Sequence, residues 1–382
     1  MRILLLTTAT ALLFAAPLAA QAPSFVEDYF LETTTYGSHF VILGNTLNSD
    51  FVVFYDHYSG GNFVLKSCRL NSGGGPLGAK QTIHPDVVVA DREPWDVVWH
   101  PVAKRYMAVF RVGGKLFARA IGVGGVPLSG PKFVCNYDGT YLHVAWAARR
   151  KFVVFLQRGD QVSGQALRRN CRKFKGEKQL VSLVTGISYP LDAASEEDGT
   201  AVAYYARYWD TPGEADVCVL RVDYKLNVLD DFDQVSDLAA SSQYLTRYIH
   251  GNYDPKSRTH SIAYRVGAGP AKYMTFKKDG TWVSKPKNLP SDSAPRSLLY
   301  NPIKKRFVVF FFKLNYFDGR DHSEFYHTVY RPNGKIVVAD RLLKRTDSEN
   351  DACACGFNKT GKIFLGWVND GGPLGVLGRL IY

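Results

Sequence analysis

The stretch "NPIKKRFVVFFFK" at residues 301–313 decides the fold. A strand with one exposed face alternates apolar and polar residues, because successive side chains point to opposite sides of a sheet. Residues 307–312 are phenylalanine or valine throughout, so a strand at this position must be covered on both faces. The three cations directly before it, Lys304, Lys305 and Arg306, predict an exposed hairpin turn where the strand begins.

Runs of the same kind recur along the chain. They read FVVF at 51–54, MAVF at 107–110, FVVF at 152–155, VAYY at 202–205, SIAY at 261–264, FVVF at 307–310 and FLGW at 364–367. Six intervals separate residue 54 from residue 367, so the period is about 52 residues. A repeat length near 50 residues is typical of propellers and solenoids.

Each run lies inside a unit with the same internal order. A short strand and a tight turn precede it, as in VVWHPVAKR at 97–105, and a third strand follows, as in QVSGQALR at 161–168. A Gly-rich or Asn-Gly turn and a fourth short strand complete the unit. Four short antiparallel strands per unit, with almost no helical periodicity, predict an all-β repeat. In a propeller each blade packs against both neighbours, which explains a second strand that is apolar on both faces. A linear solenoid with capped ends is the alternative.

The two ends of the chain favour a closed ring. The last unit stops at GRLIY, residues 378–382, after only three strands, and residues 24–35 form an extended stretch outside any complete unit. An N-terminal strand that completes the last blade would remove the exposed edges of a linear array. We therefore predict one all-β domain over residues 23–382, a seven-bladed β-propeller of four-stranded antiparallel blades. The predicted closing strand spans 24–39, and the blades span about 40–90, 91–137, 138–184, 185–238, 239–290, 291–344 and 345–382.

The repeat resembles that of secreted bacterial seven-bladed β-propeller repeat proteins. Three places carry the resemblance: Asn301-Pro302 before residues 307–310, His100-Pro101 before residues 107–110, and GQAL at 164–167. The likeness covers essentially the whole chain after the first 22 residues. It implies a fold and no specific functional subfamily, because the sequence lacks the Ser-x-Asp-x-Gly-x-Thr-Trp box of sialidase-like blades.

The N-terminus predicts export. Arg2 is followed by an uncharged apolar run and by small residues up to Ala20-Gln21-Ala22, which is the pattern of a secretory signal peptide over residues 1–22. The alternative, an uncleaved anchor, is disfavoured because the apolar core is short for a membrane span. No later segment predicts a transmembrane helix. We therefore expect a secreted protein, either extracellular or periplasmic.

Charge and cysteine content set broad limits on function. There are 47 Lys and Arg against 35 Asp and Glu, a net charge of +12, which favours anionic partners without choosing among them. The six cysteines are too scattered to indicate a disulfide framework, so we expect most of them to be small buried side chains. Their pairing stays open: Cys68, Cys135, Cys171, Cys218, Cys353 and Cys355.

The turns on one side of the predicted propeller are basic. Both such turns of the third blade are cationic, which predicts a positive patch that could hold an anionic polymer. The candidate residues are Arg149, Arg150, Lys151, Arg168, Arg169, Arg172, Lys173 and Lys175. The alternative is a solvated surface that keeps hairpin tips soluble. Because few aromatic residues stand among these cations in the sequence, we expect no specific nucleic-acid binding.

The loops on the opposite side combine aromatic and acidic residues. A sugar ring stacks on an aromatic face while carboxylates accept its hydroxyl hydrogen bonds, and the same composition suits a protein partner. The candidate ligand-binding residues are Asp56, Tyr58, Tyr208, Trp209, Asp210, Tyr316, Phe317, Asp318 and Asp321. The alternative is that these aromatic side chains fold back as packing.

Three carboxylates are placed near the predicted axis: Asp96, Asp192 and Asp351. They could form the acid/base pair of a carbohydrate-active enzyme, a glycoside hydrolase or lyase, or they could line a wet channel. No metal, phosphate or dinucleotide motif is present in the sequence, so we expect no cofactor and no metal. The first hypothesis is a secreted, non-catalytic protein that binds a glycan or protein through its loop face. The enzyme is the second hypothesis, and a structural or surface module held to anionic polymers is the third.

Overall fold

The computed structural model describes most of the chain after residue 28. The described ranges are 29–33, 39–59, 61–87, 95–181, 188–208, 215–232, 245–266, 270–289, 294–317, 320–346, 353–369 and 375–381. The predicted signal peptide, residues 1–22, lies outside them. Within these ranges no helix is long and apolar enough to cross a membrane.

The described strands form seven four-stranded antiparallel sheets. The chain enters with β1 (Tyr29–Thr33), which joins the last sheet. Sheet 1 contains β2 (Phe40–Gly44), β3 (Phe51–Ser59), β4 (Asn62–Leu70) and β5 (Gln81–Val87). Sheet 2 contains β6 (Trp95–His100), β7 (Arg105–Val112), β8 (Lys115–Ile121) and β9 (Lys132–Asn136). Sheet 3 contains β10 (Leu142–Ala147), β11 (Lys151–Arg158), β12 (Gln161–Arg168) and β13 (Lys178–Val181). Sheet 4 contains β14 (Ser188–Ser195), β15 (Ala201–Tyr208), β16 (Ala215–Val222) and β17 (Val228–Phe232).

The remaining three sheets follow the same order. Sheet 5 contains β18 (Leu245–Asp254), β19 (Thr259–Val266), β20 (Lys272–Lys277) and β21 (Trp282–Asn288). Sheet 6 contains β22 (Ala294–Asn301), β23 (Arg306–Phe317), β24 (Arg320–Tyr330) and β25 (Ile336–Thr346). Sheet 7 contains β26 (Cys353–Phe357), β27 (Ile363–Asn369) and β28 (Gly375–Ile381), with β1 as its outer strand.

The sheets are arranged as the blades of a β-propeller. The first strand of each sheet contacts the first strand of the next, from β2 through β6, β10, β14, β18 and β22 to β26, and β26 contacts β2 again. β1 pairs with β28, with Tyr29 opposite Gly378, so the N-terminal strand completes the sheet that contains the C-terminal strand. The first strands therefore surround the axis, and the fourth strands lie at the rim.

The second strand of each sheet is buried on both faces. In β23, Val308, Phe310 and Phe312 pack toward sheet 7, whereas Phe307 and Val309 pack toward sheet 5. All five are at most 6% exposed. This explains the loss of alternation in the sequence, because opposite faces of one strand belong to the cores of two different sheet pairs.

One turn geometry recurs between the first and second strands. A residue one or two positions before the second strand has a left-handed φ, a conformation that favours glycine. Sheets 4 and 7 place Gly199 and Gly361 there, with φ of 83° and 79°. Sheets 2, 3, 5 and 6 place a cation there, with φ between 51° and 59°: Lys104, Arg150, Arg258 and Lys305. These turns lie on one side of the ring, which we call the underside, together with the turns between third and fourth strands.

A buried asparagine at the start of this turn links neighbouring sheets. Its side-chain oxygen accepts amide N–H groups of its own turn, and its Nδ2 donates to the next sheet. The three links run from Asn45 to the Tyr106 hydroxyl at 3.2 Å, from Asn301 to the Gly361 carbonyl at 2.8 Å, and from Asn358 to the Ser49 carbonyl at 2.6 Å. The last of these joins sheet 7 to sheet 1, where the ring closes.

The cysteine side chains that the structure describes lie in the interior. Five are buried: Cys68, Cys135, Cys171, Cys218 and Cys355. The expectation that most of the cysteines are buried is confirmed for these five.

Candidate functional site

Two of the three predicted axial carboxylates lie on first strands and join neighbouring sheets. Asp96 of β6 accepts the amide of Val97 at 2.7 Å with one oxygen and the amide of Val144, in sheet 3, at 2.8 Å with the other. Asp192 of β14 repeats this, with Ala193 at 2.7 Å and Gly251, in sheet 5, at 2.8 Å. Each carboxylate therefore links two sheets through backbone donors. Asp351 lies outside the described residues.

A histidine accompanies each of these carboxylates. His143 Nδ1 lies 3.6 Å from Asp96, and His250 Nδ1 lies 3.9 Å from Asp192. Burial raises the pKa of Asp192 to about 7, and the nearby Asp96 carboxylate adds to this, although His143 and the two amides oppose it. No group of three or more metal-ligating side chains occurs within the described ranges. The amide bonds give both aspartates a structural role, and catalysis by them stays a prediction.

The predicted loop-face site is not formed by the residues that the structure describes. Asp56 lies on β3, is 1% exposed and accepts the indole N–H of Trp95 at 3.2 Å, so its predicted place in an exposed loop is wrong. The Tyr58 ring packs against Phe63 at 5.0 Å. Side chains of Tyr208, Tyr316, Phe317 and Asp321, and all of Trp209, Asp210 and Asp318, lie outside the described part of the molecule.

The predicted cations of the third unit come together on the underside of sheet 3. Lys151 of β11 is opposite Arg168 of β12 in the strand register, and Arg149 and Arg150 form the adjoining turn. Burial lowers the pKa of Lys151, and repulsion from Arg168 and Arg149 lowers it further. The turn from β12 to β13 adds the other four: Arg169, Arg172, Lys173 and Lys175.

Aromatic rings stand among these cations. Arg149 lies over the ring of Tyr224 at 5.2 Å, and Lys151 and Arg168 lie over Phe174 at 4.6 and 5.8 Å. The expectation of little aromatic interleaving, drawn from the sequence, is therefore wrong for the folded chain. We call this the cation–aromatic surface; its residues are Arg149, Lys151, Arg168, Lys173 and Lys225 with Phe133, Phe174 and Tyr224.

A cavity of about 440 Å³ opens beside this surface, on the underside. Four turns line it, one from each of sheets 2, 3, 4 and 5. The lining includes His100, Pro101, Trp146, Arg149, Arg150, Glu197, Asp198, Tyr253 and Pro255. Arg149 and Arg150 belong to the cation–aromatic surface's own turn, so the cavity and the surface are continuous.

One wall of the cavity carries carboxylates, and cations of sheets 4 and 5 compensate their negative charge. Lys278 Nζ lies 2.9 Å from Glu196, 3.1 Å from Glu197 and 3.3 Å from Asp198. Arg221 binds Glu196 and Arg258 approaches Glu197 at 3.5 Å. Arg221 also pairs with Asp230, so four carboxylates share three cations around this wall and most of its negative charge is compensated.

Behind that wall, the fully buried Glu196 is the centre of a hydrogen-bond network. Its carboxylate accepts hydrogen bonds from Arg221 at 2.7 and 2.8 Å and from His260 at 3.0 Å. Burial alone would raise the pKa of Glu196, but the bonds from His260, Arg221 and Lys278 outweigh it and lower the pKa to about 2. Burial lowers the pKa of His260, so the ring is neutral. We therefore assign the proton to Nε2, which donates to Glu196, while Nδ1 accepts from the Tyr204 hydroxyl at 2.9 Å.

The sequence did not identify Trp146, Phe174, Tyr224 or Glu196 as site residues. Phe174 stands inside RRNCRKFKGEK at 168–178 and Tyr224 precedes Lys225, so an aromatic residue within a basic turn was the available signal. Trp146 and Glu196 gave no local signal, because their role depends on neighbouring sheets.

Comparison with known proteins shows the fold. No protein-family model and no curated protein matches the chain. The polysaccharide lyase Uly1 has a similar structure, with TM-score 0.59 and 10% identity over 92% of this chain and 91% of that one. A PL25 ulvan lyase bound to -[GlcA(1-4)Rha3S]- has TM-score 0.57 and 13% identity, covering 92% and 95%. A protein of unknown function from Dyadobacter fermentans has TM-score 0.57 and 9% identity, covering 95% and 100%. The chain is thus a β-propeller of four-stranded antiparallel blades.

Proposed function

We propose that this protein is a secreted seven-bladed β-propeller that binds an acidic polysaccharide on its underside. The observation that carries the proposal is the cation–aromatic surface of sheets 3 and 4. Seven four-stranded sheets in a ring of contacts support the blade number. Export through the predicted signal peptide would place the protein where such polymers occur.

The surface offers both contacts that an acidic sugar chain needs. Carboxylate and sulfate groups form charge-assisted hydrogen bonds with arginine and lysine, and the apolar face of a sugar ring packs on aromatic rings. The Phe174 and Tyr224 rings are 5.9 Å apart and partly exposed, so adjoining rings lie within one positively charged area. Cations held over rings are also pre-positioned, which lowers the entropic cost of binding.

The comparisons support a polysaccharide as the ligand class. Two of the similar structures are polysaccharide lyases, and one of them holds a ligand that contains GlcA. At these identities the likeness concerns the fold, so the chemistry of our proposal comes from the residues of this chain. We place no catalytic step on Asp96 or Asp192, because both oxygens of each carboxylate accept backbone amides.

The test is calorimetric titration of the whole protein with polygalacturonate at two salt concentrations. We expect the triple variant Arg149→Gln, Lys151→Gln, Arg168→Gln to bind at least about tenfold more weakly, which corresponds to about 1.4 kcal/mol. The matched control is Lys104→Gln, Lys304→Gln, Lys359→Gln, which removes the same charge from the underside of sheets 2, 6 and 7. We expect this control to bind within about threefold of the wild type, because it leaves the rings and their cations in place.

Three outcomes would contradict the proposal. Wild-type protein without affinity for the polymer would remove it, and so would equal losses in the two triple variants. Tighter binding of a single-stranded oligonucleotide than of polygalacturonate would also contradict it, since cations beside rings suit unpaired bases as well.

An assay for new chain ends on the bound polymer decides between binding and turnover. Turnover would keep the ligand class and overturn the non-catalytic role.

A further inference from the structure

The cavity beside the cation–aromatic surface is a second candidate ligand site. We propose that it binds a single uronic acid residue of the polysaccharide, an inference that rests on the proposed function. Its volume of about 440 Å³ falls in the range of small-ligand sites, which is about 300–1,000 Å³. Four turns from four different sheets converge on it, so its walls are fixed by the ring itself.

The charge of the cavity selects an anion. On the wall from sheets 4 and 5, Glu197 and Asp198 are held by Lys278, and Arg258 stands close to Glu197. On the opposite wall, Arg149 and Arg150 form no ion pair with any carboxylate of the described residues. The net charge presented to a ligand is therefore positive and comes from this arginine pair.

His100 contributes a neutral ring to the same wall. Burial lowers the pKa of His100 to about 4, and the charges of Arg150 and Arg105 lower it as well. It is therefore uncharged at neutral pH and adds no cation of its own. Selection of a carboxylate thus falls to Arg149 and Arg150, whose guanidinium groups match it in shape as well as charge.

The remaining walls suit the body of a sugar ring. Trp146 lines the cavity, is partly exposed and has its ring 5.3 Å from that of His100, so the exposed part of the indole can contact the apolar face of a sugar. Pro101 and Pro255 add apolar edges without backbone N–H groups. The exposed carboxylates of Glu197 and Asp198 keep lone pairs for ring hydroxyls, beyond those used by Lys278.

The test is ligand-observed NMR titration of the intact protein with the monosaccharides galacturonic acid and galactose. We expect galacturonic acid to bind and galactose to bind at least about tenfold more weakly, since galactose lacks the carboxylate that pairs with arginine. Arg150→Gln should remove most of this preference. The control Arg169→Gln, from the next turn on the underside, should keep it, because Arg169 does not line the cavity. Trp146→Ala should weaken both sugars by at least about fivefold through the lost stacking surface.

The outcomes separate this inference from the proposed function. If polygalacturonate binds but galacturonic acid does not, the cavity assignment is wrong and the surface proposal stands. If both monosaccharides bind equally, or if Arg150→Gln and Arg169→Gln behave alike, the assignment is also wrong. If neither polymer nor monosaccharide binds, the proposed function itself falls. Should Trp146→Ala fail to fold, Arg150→Gln with its control still decides the question.

Discussion

Glu196 occupies a turn position that is asparagine in other sheets. At the start of the turn where sheets 1, 6 and 7 have a buried asparagine, sheet 4 has a fully buried carboxylate. The backbone bonds of the turn are the same in sheets 4 and 7: Gly199 N–H to Glu196 carbonyl, and Gly361 N–H to Asn358 carbonyl, at 3.0 and 2.9 Å. A buried charge must be paired, and cations from Arg221 and Lys278 pair it.

Replacing this carboxylate should destabilise the protein strongly. We expect Glu196→Gln to lower the free energy of unfolding by about 3 kcal/mol, because it removes a fully buried carboxylate that accepts hydrogen bonds from Arg221 and His260 and pairs with Lys278. The control is Glu177→Gln, which breaks a bidentate pair with the partly exposed Arg158 and should cost about 1 kcal/mol or less. Urea unfolding monitored by fluorescence gives both values; similar costs for the two variants would contradict a special role for Glu196.

The same carboxylate should make stability fall in acid. Because the pKa of Glu196 is lowered from 4.5 to about 2 in the folded protein, its contribution is fully present above about pH 5. It is lost as the pH falls from 4.5 toward 2, where the folded protein also takes up the proton. The gap in unfolding free energy between wild type and Glu196→Gln should therefore be constant from pH 5 to 7 and shrink below pH 4.5. A difference in unfolding free energy that grows as the pH falls would contradict this prediction.

At the scale of the element, the second strand of each sheet supplies the core. Phe310 of β23 is 1% exposed and lies between sheets 6 and 7 with Trp367 and Leu365. We expect Phe310→Ala to lower the free energy of unfolding, measured with urea, by about 3–5 kcal/mol. The variant loses the transfer free energy of the buried ring and leaves a cavity in its place. Phe133→Ala, at a residue that is 48% exposed, is the matched control and should cost less than about 1 kcal/mol. Equal costs would mean that β23 is not covered on both faces.

The sequence predicted these elements well because their signal is local. Apolar runs at a regular interval are visible in the sequence alone, and so are the cationic turns that precede them. The acidic residues were harder to place. Asp56 was assigned to an exposed loop, yet β3 continues through residue 59 and buries it against Trp95. A strand that extends past its apolar run leaves no local sign of where it ends.

At the scale of the whole molecule, the ring closes through close backbone contact between sheets 1 and 7. A Cβ atom at Gly44 would collide with the carbonyl oxygen of Phe357, and one at Gly356 would collide with that of Ile42. Only glycine permits this approach of β2 to β26. The Phe51 and Phe364 rings, 5.7 Å apart, pack across the same junction.

Adding one methyl group at this junction tests the closure. We expect Gly44→Ala to lower the free energy of unfolding by about 1–3 kcal/mol, because the backbone of β26 must move to admit it. At Gly114 a Cβ atom meets nothing within 4 Å, so Gly114→Ala should be neutral or stabilising by up to about 1 kcal/mol. Differential scanning calorimetry measures both. A neutral Gly44→Ala would contradict a closed contact between the first and last sheets.

The candidate site could be predicted only in part. The sequence placed the eight cations on one side of one unit, because the turns that carry them are local. It missed Trp146 and the continuity of the cavity with Arg149 and Arg150, because four turns from residues 100 to 255 build that cavity. Such a site depends on how the sheets are placed around the axis, and this placement cannot be predicted from a short stretch of sequence.

The central claim is that the ligand surface lies on the underside of sheets 3 and 4. Hydrogen–deuterium exchange of the whole protein, with and without saturating polygalacturonate, tests it most directly. We predict slower amide exchange in residues 146–151, 168–175 and 223–227, and unchanged exchange in the opposite-side segments 56–59, 61–63, 315–317 and 320–323. Protection confined to those opposite-side segments, with none on the underside, would contradict the claim.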